Sequence, residues 1–442
     1  MKIQPARRIR GRLRLPGDKS ISHRAALLAS LAEGRARLTN FSTSADCAAT
    51  LDCLRQLGVS IEHEGTKVRI EGTGTDGLRA SSAMLDCGNS GSTMRLLVGV
   101  LAGQDFVSRL TGDASLRSRP MKRIIEPLEL MGARITSRAG SAPLQIAGRR
   151  PLVPISYEMP IASAQVKSCI LLAGLNAAGR TSIVEEAGVT RDHTERMLRW
   201  LGVTIETRTE TDSDATRSIL TIDGPIRFSA RDISIPGDIS SAAFFVAAAA
   251  LLPGSALEIE TIGLNQTRTQ ILSTLQSLGM NIRTTNVREQ CNEPVGDIQV
   301  RAGTNGSPMS SVRTGHILRG QSIARLIDEL PVLAVVGTQV SGGIEIRGAA
   351  ELRVKESDRI AATVENLRAM GALVEEFEDG MRVDGRARLR GAQIRTHGDH
   401  RIAMAFTVAA LLAEGESELD DALCVRISFP EFFESLESVI ER

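Results

Sequence analysis

The chain has 442 residues, of which 42% are hydrophobic and 3% aromatic, and its 53 basic and 52 acidic residues leave a net charge of +1. This length allows more than one domain and an ample core. The near-neutral charge and the few aromatic side chains argue against a protein that binds nucleic acid or a membrane surface, and the composition is typical of a soluble α/β protein.

Cysteine and histidine patterns give no sign of a metal site or a disulfide framework. The six cysteines are scattered without a CxxC pair, which predicts reduced thiols in the cytoplasm. The histidines form no HExxH motif, and His397 and His400 have no further Cys or His nearby. The N-terminal residues lack the apolar region of a signal peptide. The most apolar run, residues 242–252, is too short to cross a bilayer and predicts a buried helix.

One pattern recurs about six times along the chain. Each copy opens with a turn of small or polar residues and continues into an Ala/Leu-rich helix and a short strand. A second helix often ends in a tripeptide of the Leu-Gly-Val or Met-Gly-Ala type. The glycines of these tripeptides are Gly58, Gly132, Gly202, Gly279 and Gly371. Such self-similarity indicates one supersecondary unit that is reused, so the differences between copies are where function should be sought.

In the first copy, Pro16-Gly17-Asp18 predicts a turn, after which Ser20 or Ser22 can cap a helix. Residues 60–64 and 67–71 alternate with period two and predict a hairpin. The later helix starts follow in chain order, and the fifth is the least distinct. They lie at residues 87–95, 161–168, 235–241, about 327–330 and 397–401.

The fourth copy opens with Pro236-Gly237-Asp238, which repeats the opening of the first copy. The simplest architecture therefore has two similar halves of three copies each. We predict an N-terminal domain over residues 12–230 and a C-terminal domain made of residues 1–11 and 231–442. Residues 303–308 predict a loop, and the chain is expected to be irregular up to about residue 320.

Helix starts offer unpaired N–H groups and the positive end of the helix dipole, which bind anions. A single start of this kind is more often a capped helix with a surface lysine. Several in register across repeats instead predict a cleft for anionic ligands. The candidate anion-binding residues of the first three starts are Lys19, Ser20, Arg24, Asn89, Ser90, Gly91, Ser92, Ser163, Ala164, Gln165 and Lys167. The fourth start carries no basic residue and is predicted to be scaffold.

Two further basic clusters stand out. In residues 117–123, Pro120 predicts a helix start with the guanidinium of Arg119 at its mouth, where it can bind carboxylate or phosphate. Residues 351–359 alternate in charge, which is typical of a salt-bridged helix start. They also place the acid Glu356 beside Lys355 and Arg359, as proton transfer on an anionic substrate requires.

These segments, in this order, closely resemble the 5-enolpyruvylshikimate-3-phosphate synthase family, and in particular its class II bacterial branch. The matching segments span nearly the whole chain, and LPGDKSISHR, RVKESDR and GDHRIAM together are highly specific. The matching segments are residues 15–24 (LPGDKSISHR), 88–95 (GNSGSTMR), 119–121 (RPM), 163–168 (SAQVKS), 191–195 (RDHTE), 353–359 (RVKESDR) and 398–404 (GDHRIAM).

The resemblance implies an α/β fold of two similar domains, each of three repeated βαβαββ units, that close over an interdomain cleft. It implies transfer of the enolpyruvyl group of phosphoenolpyruvate to the 5-hydroxyl of shikimate 3-phosphate, through a tetrahedral intermediate, with release of phosphate. Neither a metal nor an organic cofactor is expected. The expected partners are these two small molecules, without nucleic acid or membrane, and we expect a monomer in the cytoplasm.

The resemblance also implies roles for single residues. Shikimate 3-phosphate is expected to contact Lys19, Ser20, Arg24, Ser163, Ala164, Gln165, Arg191, Asp328 and Lys355. Phosphoenolpyruvate is expected to contact Lys19, Asn89, Gly91, Arg119, Gln165, Arg359 and Arg401. The expected catalytic residues are Lys19, Asp328 and Glu356, with the two carboxylates as the acid–base pair. Glu351 stands where another branch has Asn, and Ile427, next to Arg426, stands where that branch has Lys, so no role is assigned to these three.

Two other functions are compatible with much of this pattern. The sister enolpyruvyl transferase that acts on UDP-N-acetylglucosamine has the same fold, but it usually carries a reactive Cys in the loop that corresponds to residues 113–121, where this chain has none. A non-catalytic repeat protein that binds anionic metabolites would not need Asp328 and Glu356 among arginines. In the resembled family a glycine at the place of Gly91 leaves room for the herbicide glyphosate, so inhibition is expected.

Overall fold

The structure is a computed structural model that describes residues 1–186, 190–211, 216–303 and 315–442. The helices are α1 (Lys19–Leu31), α2 (Ala45–Gln56), α3 (Gly91–Ala102), α4 (Ala114–Ser118), α5 (Lys122–Leu130), α6 (Ala164–Gly174), α7 (His193–Trp200), α8 (Ile239–Leu251), α9 (Gln270–Ser277), α10 (Gln321–Leu326), α11 (Leu330–Gly337), α12 (Arg359–Ala369), α13 (His400–Leu412) and α14 (Phe432–Glu437). Short 3₁₀ helices cover Ala350–Val354 and Leu423–Ile427.

The strands are short and alternate with these helices. They are β1 (Lys2–Ile3), β2 (Arg8–Arg14), β3 (Glu33–Thr39), β4 (Ser60–Glu64), β5 (Lys67–Thr73), β6 (Leu85–Asp86), β7 (Val107–Thr111), β8 (Arg134–Arg138), β9 (Ser141–Ala147), β10 (Ser156–Glu158), β11 (Gly179–Glu186), β12 (Glu206–Thr211), β13 (Thr216–Gly224), β14 (Ile233–Ser234), β15 (Ala256–Gly263), β16 (Ile282–Gln290), β17 (Glu293–Arg301), β18 (His316–Leu318), β19 (Ile344–Ile346), β20 (Val374–Phe377), β21 (Gly380–Val383), β22 (Gln393–Ile394), β23 (Ser417–Leu419) and β24 (Ile440–Glu441).

The chain forms two compact units. The N unit consists of Pro16–Ile235 and Gln290–Glu293, and the C unit of Met1–Leu15, Pro236–Glu289 and Pro294–Arg442. Our predicted boundaries lie after residues 11 and 230. In the structure the C unit keeps the chain up to Leu15 because β2 pairs with β15, and the N unit keeps it up to Ile235 because β14 pairs with β3.

The N unit contains three four-stranded sheets of one design. Their strand orders are β14-β3-β5-β4, β6-β7-β9-β8 and β10-β11-β13-β12. In each sheet the first two strands are parallel, and the next two pairings are antiparallel. A parallel pair needs a crossover connection, which α3 and α6 supply in the second and third copies. The hairpin predicted over residues 60–64 and 67–71 is confirmed as β4 and β5.

The C unit varies this design, with sheets of five, four and three strands that include strands from both ends of the chain. Its sheets have the orders β16-β17-β15-β2-β24, β18-β19-β21-β20 and β1-β23-β22. The parallel pairs are β2 with β15, β18 with β19, and β22 with β23. The N-terminal strand β1 completes the last copy by antiparallel pairing with β23. The described residues thus have the predicted α/β architecture, with three repeated units in each half.

The repeated tripeptides end the second helix of five copies in one conformation. Their glycines all have positive φ, namely Gly58 90°, Gly132 95°, Gly202 83°, Gly279 87° and Gly371 88°. In every case the residue after the glycine donates its N–H to a carbonyl five residues back, for example Val59 to Leu54 at 3.1 Å. These are Schellman-type ends, in which glycine avoids the steric penalty that a Cβ brings to left-handed backbone.

Each unit has its own hydrophobic core. The predicted buried helix is confirmed as α8, whose residues from Ile239 to Ala249 are all buried. It packs with α11 and α13 in the C unit, whereas α3 packs with α6 in the N unit. Among the helices of the described residues, none is long and apolar enough to span a membrane.

The structure differs from the sequence prediction at the cap of the first helix and in the segment that ends near residue 320. The first helix is capped by Asp18, whose Oδ1 accepts from Ile21 N at 2.9 Å, and not by Ser20 or Ser22, because the helix already begins at Lys19. The stretch expected to be irregular up to about residue 320 contains β18, which is stabilised by parallel pairing with β19. Of the loop predicted over residues 303–308, residues 304–308 lie outside the described part of the chain.

Candidate active-site residues in the two units

Lys19 begins α1 and is held by an acidic partner. Its Nζ lies 2.7 Å from Asp46 Oδ2, and both side chains are largely buried. Asp46 lies in the first turn of α2, which follows β3. Because the carboxylate fixes the ammonium group, Lys19 is a preorganised cation and not a mobile surface lysine. The neighbouring Ser20 is half-buried.

Arg24 lies one turn further along α1 and is 4% exposed. Its guanidinium donates to Ser20 O at 2.8 Å, to Ser168 Oγ at 2.9 Å and to Thr194 Oγ1 at 2.7 Å. These acceptors belong to α1, α6 and α7, so the side chain joins three helices of the N unit. Arg191, also predicted to bind substrate, is half-buried just before α7.

Asn89 and Arg119 form a second cluster at the start of α3. Arg119 donates to Asn89 Oδ1 at 2.8 Å and to Ser115 Oγ at 3.0 Å. Asn89 in turn donates to Asp113 Oδ2 at 2.7 Å, which orients its amide. Gly91 is the first residue of α3 and is buried. The helix expected at Pro120 begins at Lys122, so Arg119 precedes it in extended backbone.

Gln165 lies in the first turn of α6, after the capping residue Ser163 and the first helical residue Ala164. Its amide contacts α3 through Ser92 and Arg95, at 3.0 and 2.6 Å. The starts of α3 and α6 are therefore joined by side-chain hydrogen bonds.

Lys167 is not available to an anionic ligand, contrary to its place among the predicted anion-binding groups. It is 1% exposed, and its Nζ lies 2.7 Å from Glu185 and 2.8 Å from Glu195. Burial alone would lower the pKa of Lys167, but the two carboxylates raise it above its ordinary value. Residues 166–174 of α6 are all buried, so the Lys167 ammonium group needs buried partners.

In the C unit, Arg359 is the centre of an ionic cluster. It donates to Asp399 Oδ2 at 2.8 Å and to Glu356 Oε2 at 2.6 Å, and its Nη1 lies 3.6 Å from Asp328 Oδ1. The structure thus brings together three of the predicted residues, Asp328, Glu356 and Arg359. Asp399 was missed, although an Asp directly before a helix in the GDH segment is a recognisable capping signal.

Arg401 extends this cluster toward the fourth copy. Its guanidinium lies 4.0 Å from Asp328 and 4.0 Å from Glu329. Glu329 accepts a hydrogen bond from Ser240, at the start of α8. The fourth start has no basic residue in its own segment and is predicted to be scaffold, but the fold brings Arg268 to it, 3.8 Å from the carboxylate of Asp238.

Arg268 was missed because it is distant in sequence from the α8 start. The segment directly before it, Asn265-Gln266-Thr267, indicates a turn but does not indicate the contact with α8. Asn265 Oδ1 accepts from the N–H and the hydroxyl of Thr267, at 3.0 and 2.8 Å, and so forms an Asx turn directly before Arg268.

The ammonium group of Lys355, a predicted ligand of shikimate 3-phosphate, lies 3.4 Å from the carboxylate of Glu351. Glu351, to which the family resemblance assigned no role, therefore pairs with this lysine. Partial burial lowers the pKa of Lys355, against the opposing effect of Glu351. Arg426 and Ile427 were also left without a role; Arg426 is exposed, whereas Ile427 packs against the core.

In the described residues, no group of three or more His, Cys, Asp or Glu side chains is arranged to hold a metal ion.

Comparisons with known proteins match this chain over its whole length. The family model described as EPSP synthase (3-phosphoshikimate 1-carboxyvinyltransferase) matches residues 3–436. A 3-phosphoshikimate 1-carboxyvinyltransferase of Koribacter versatilis is 52% identical over 444 residues, covering 100% of this chain and 99% of the relative. The protein of the same name from Solibacter usitatus is 47% identical over 441 residues, covering 100% and 99%.

Solved structures show the same relationship. An EPSP synthase from Acinetobacter baumannii matches with a TM-score of 0.83 and 39% identity, covering 99% of this chain and 98% of that chain. The enolpyruvyl transferase NikO from Streptomyces tendae matches with a TM-score of 0.76 and 18% identity, covering 99% and 96%. The second likeness shows only that the fold is shared.

Proposed function

We infer that this chain, which belongs to the EPSP synthase (3-phosphoshikimate 1-carboxyvinyltransferase) family, transfers the enolpyruvyl group of phosphoenolpyruvate to the 5-hydroxyl of shikimate 3-phosphate. The products are phosphate and 5-enolpyruvylshikimate 3-phosphate, an intermediate on the way to aromatic amino acids. The observation that carries this inference is the full-length similarity to several relatives of that name, at 45 to 52% identity.

The proposal assigns the N unit most of the groups that bind shikimate 3-phosphate. They are Lys19, Ser20, Arg24, Ser163, Ala164, Gln165 and Arg191, to which the C unit adds Asp328 and Lys355. Support comes from cations fixed near helix starts, such as Lys19 on Asp46 at 2.7 Å. A fixed cation loses little freedom when a polyanion binds, which favours affinity.

Phosphoenolpyruvate is assigned to Lys19, Asn89, Gly91, Arg119 and Gln165 of the N unit and to Arg359 and Arg401 of the C unit. The planar guanidinium group binds carboxylate and phosphate in a bidentate manner. Arg119 is oriented by Asn89 and Ser115, and Arg359 by Asp399 and Glu356. Held in this way, they can offset the repulsion between two anionic substrates.

In the proposed mechanism the 5-hydroxyl oxygen attacks C2 of phosphoenolpyruvate as Asp328 accepts the hydroxyl proton, while Glu356, in its acid form, donates a proton to C3 and becomes a carboxylate. This step gives a tetrahedral intermediate with no net loss of atoms. Glu356 then removes a proton from C3 while the C2–O bond to phosphate breaks, with Lys19 stabilising the leaving phosphate. Asp328 has Arg359 and Arg401 within 4.0 Å, and Glu356 accepts from Arg359, so both carboxylates are oriented.

The alternative functions are not favoured. None of the relatives named above is a UDP-N-acetylglucosamine enolpyruvyl transferase. A non-catalytic binding protein would not require the contacts that orient Asp328 and Glu356 among arginines.

The test is a phosphate-release assay of the purified chain with phosphoenolpyruvate and either shikimate 3-phosphate or UDP-N-acetylglucosamine. We expect release only with shikimate 3-phosphate, together with one enolpyruvyl product per phosphate. Release with the nucleotide sugar alone, or binding of shikimate 3-phosphate without turnover, would replace the proposal by one of the two alternatives.

The proposal includes three further properties. No metal or organic cofactor takes part, so dialysis against a chelator should leave the rate unchanged. Glyphosate competes with phosphoenolpyruvate, because Gly91 carries no side chain. The enzyme works as a monomer in the cytoplasm, which light scattering of the active protein and cell fractionation can test.

A further inference from the structure

Arg95 lies on α3, one turn after Gly91, and is half-buried. Its Nη1 donates to Gln165 Oε1 at 2.6 Å, and its Nη2 donates to the carbonyl of Pro120 at 3.3 Å. Gln165 Nε2 donates to Ser92 Oγ at 3.0 Å. Two residues of α3 therefore hold the Gln165 amide, one at its oxygen and one at its nitrogen.

We propose that Arg95 is a positioning residue, which acts on the reaction by fixing the amide of Gln165 and without touching substrate. This inference rests on the proposed function, in which Gln165 contacts both substrates. It adds to that function a residue for which the family resemblance gave no role.

The chemistry of the guanidinium group makes the orientation specific. A guanidinium has only donors, so the amide atom that faces Arg95 must be the oxygen of Gln165. A flipped amide would set its N–H groups against those of Arg95. The Gln165 nitrogen is thereby directed to Ser92, and because it carries two N–H groups, the second is left to donate to an anionic oxygen of a ligand.

Arg95 also connects this amide to the second predicted anion-binding segment of the N unit. Its bond to the Pro120 carbonyl reaches the residue that follows Arg119. Arg119 is in turn bonded to Asn89, two residues before α3 begins. One side chain on α3 thus sets the relative positions of Gln165 and of the segment that carries Arg119.

Gly91 is adjacent to the same nitrogen. A Cβ at position 91 would lie 2.8 Å from Arg95 Nη1, the atom that donates to Gln165. It would lie 3.5 Å from Arg119 Nη1, which is ordinary contact. A methyl group at position 91 therefore has to displace the guanidinium of Arg95 and, through it, the amide of Gln165.

The test is a double-mutant cycle in full-length enzyme, with Arg95→Ala, Gln165→Ala and both together, in which kcat/KM is measured for each substrate. Misplacing a group that orients substrate can cost about a hundredfold, and we expect Arg95→Ala to lower kcat/KM by about that factor. In the Gln165→Ala background the same change should cost about tenfold less, because the part of the loss that acts through the Gln165 amide is already gone and only the part through Pro120 remains. An equal loss in both backgrounds would overturn the inference.

Controls separate positioning from general loss of structure. The matched control is an exposed Arg–Gln pair of the N unit, in which Arg109 on β7 donates to Gln145 Oε1 on β9 at 3.1 Å. Arg109→Ala and Gln145→Ala should leave kcat/KM unchanged. An alkylguanidine should restore part of the activity of Arg95→Ala, but not of the double variant, and an alkylamine should restore neither. If Arg95→Ala is unfolded at the assay temperature, Arg95→Lys takes its place under the same criterion, because a lysine cannot bridge both acceptors.

The outcomes also distinguish this inference from the proposed function. If the wild-type enzyme shows no enolpyruvyl transfer, both the proposed function and the role of Arg95 are refuted. If the wild-type enzyme is active and Arg95→Ala retains kcat/KM within about twofold, only the role of Arg95 is refuted. A twofold change is well below the tenfold change that about 1.4 kcal/mol represents.

Discussion

The guanidinium of Arg359 donates to the carboxylate of Asp399 at 2.8 Å, and both side chains are shielded from solvent, 1% and 0% exposed. Asp399 Oδ1 also accepts from the backbone N–H of Arg401 at 2.8 Å and so caps α13. One buried carboxylate therefore orients Arg359 through its side chain and Arg401 through its backbone. Burial alone would lower the pKa of Arg359, but Asp399 and Glu356 raise it above its ordinary value.

Asp399→Asn should destabilise the C unit. The amide keeps the shape and the helix cap but removes the charge that compensates Arg359, and breaking a buried pair costs about 3 kcal/mol or more. Urea unfolding measures the loss. The matched control is Glu375→Gln, which breaks a half-exposed pair with Arg382 at 2.8 Å and should cost less than about 1 kcal/mol. Equal losses in the two variants would contradict the expectation.

Lys167→Met should destabilise the N unit by about 3 to 5 kcal/mol, because it leaves Glu185 and Glu195 as uncompensated buried carboxylates. Combining it with Glu185→Gln and Glu195→Gln should recover much of this loss. Lys67→Met, at an exposed lysine of β5, should change the free energy of unfolding by at most about 0.5 kcal/mol. A stable Lys167→Met enzyme with a raised KM for shikimate 3-phosphate would return Lys167 to the substrate-binding groups.

Asp328→Asn should lower kcat by about a hundred- to ten-thousand-fold with little change in KM, because the amide cannot accept the hydroxyl proton. Steady-state phosphate release with both substrates measures the two constants. Asp379→Asn, at a partly exposed carboxylate of the same unit, should retain the wild-type rate. Turnover of Asp328→Asn within a few-fold of wild type would rule out the proposed base.

Gly91→Ala should raise the inhibition constant of glyphosate by about tenfold or more, which corresponds to about 1.4 kcal/mol of lost binding. The KM for phosphoenolpyruvate should rise as well, since the new methyl group meets the Arg95 nitrogen at 2.8 Å. Inhibition kinetics against phosphoenolpyruvate measure both constants. An unchanged inhibition constant would show that position 91 does not contact the inhibitor site.

His23 should make stability depend on pH. Its ring is fully buried with Nδ1 2.7 Å from Thr50 Oγ1, and burial, aided by Lys19 and Arg24, holds the pKa of His23 well below its ordinary value. Below about pH 6.5 the unfolded chain therefore takes up a proton that the folded chain does not, and stability falls. The loss between pH 7.5 and 5.5 is about 1.4 kcal/mol.

Urea unfolding of His23→Gln at the two pH values tests this. The variant should show a pH dependence smaller than that of wild type by this amount. His63→Gln, at an exposed position of β4, should keep the full wild-type dependence. An identical pH dependence in wild type and His23→Gln would show that the buried ring does not carry the effect.

The repeat itself could be read from the sequence because its signals are local. Gly58 and its four counterparts end helices by hydrogen bonds between residues five positions apart. The helix end is therefore determined by a short segment, in which the glycine supplies the positive φ. Asp18, Asp238 and Asp399 cap α1, α8 and α13 within one turn of their own position. The order of the family motifs along the chain is also visible in the sequence alone.

The pairing of the charged groups was decided by the tertiary structure. Lys167 meets Glu185 and Glu195, Arg268 meets Asp238 from 30 positions away, and Arg95 meets Gln165 across 70 positions. A buried cation is stable only where the fold supplies an acceptor. The sequence by itself determined which helix starts carry cations and amides, since caps and periodicity are local. Only the packing of segments distant in the chain decided which carboxylate or amide partner each of those groups meets inside its unit.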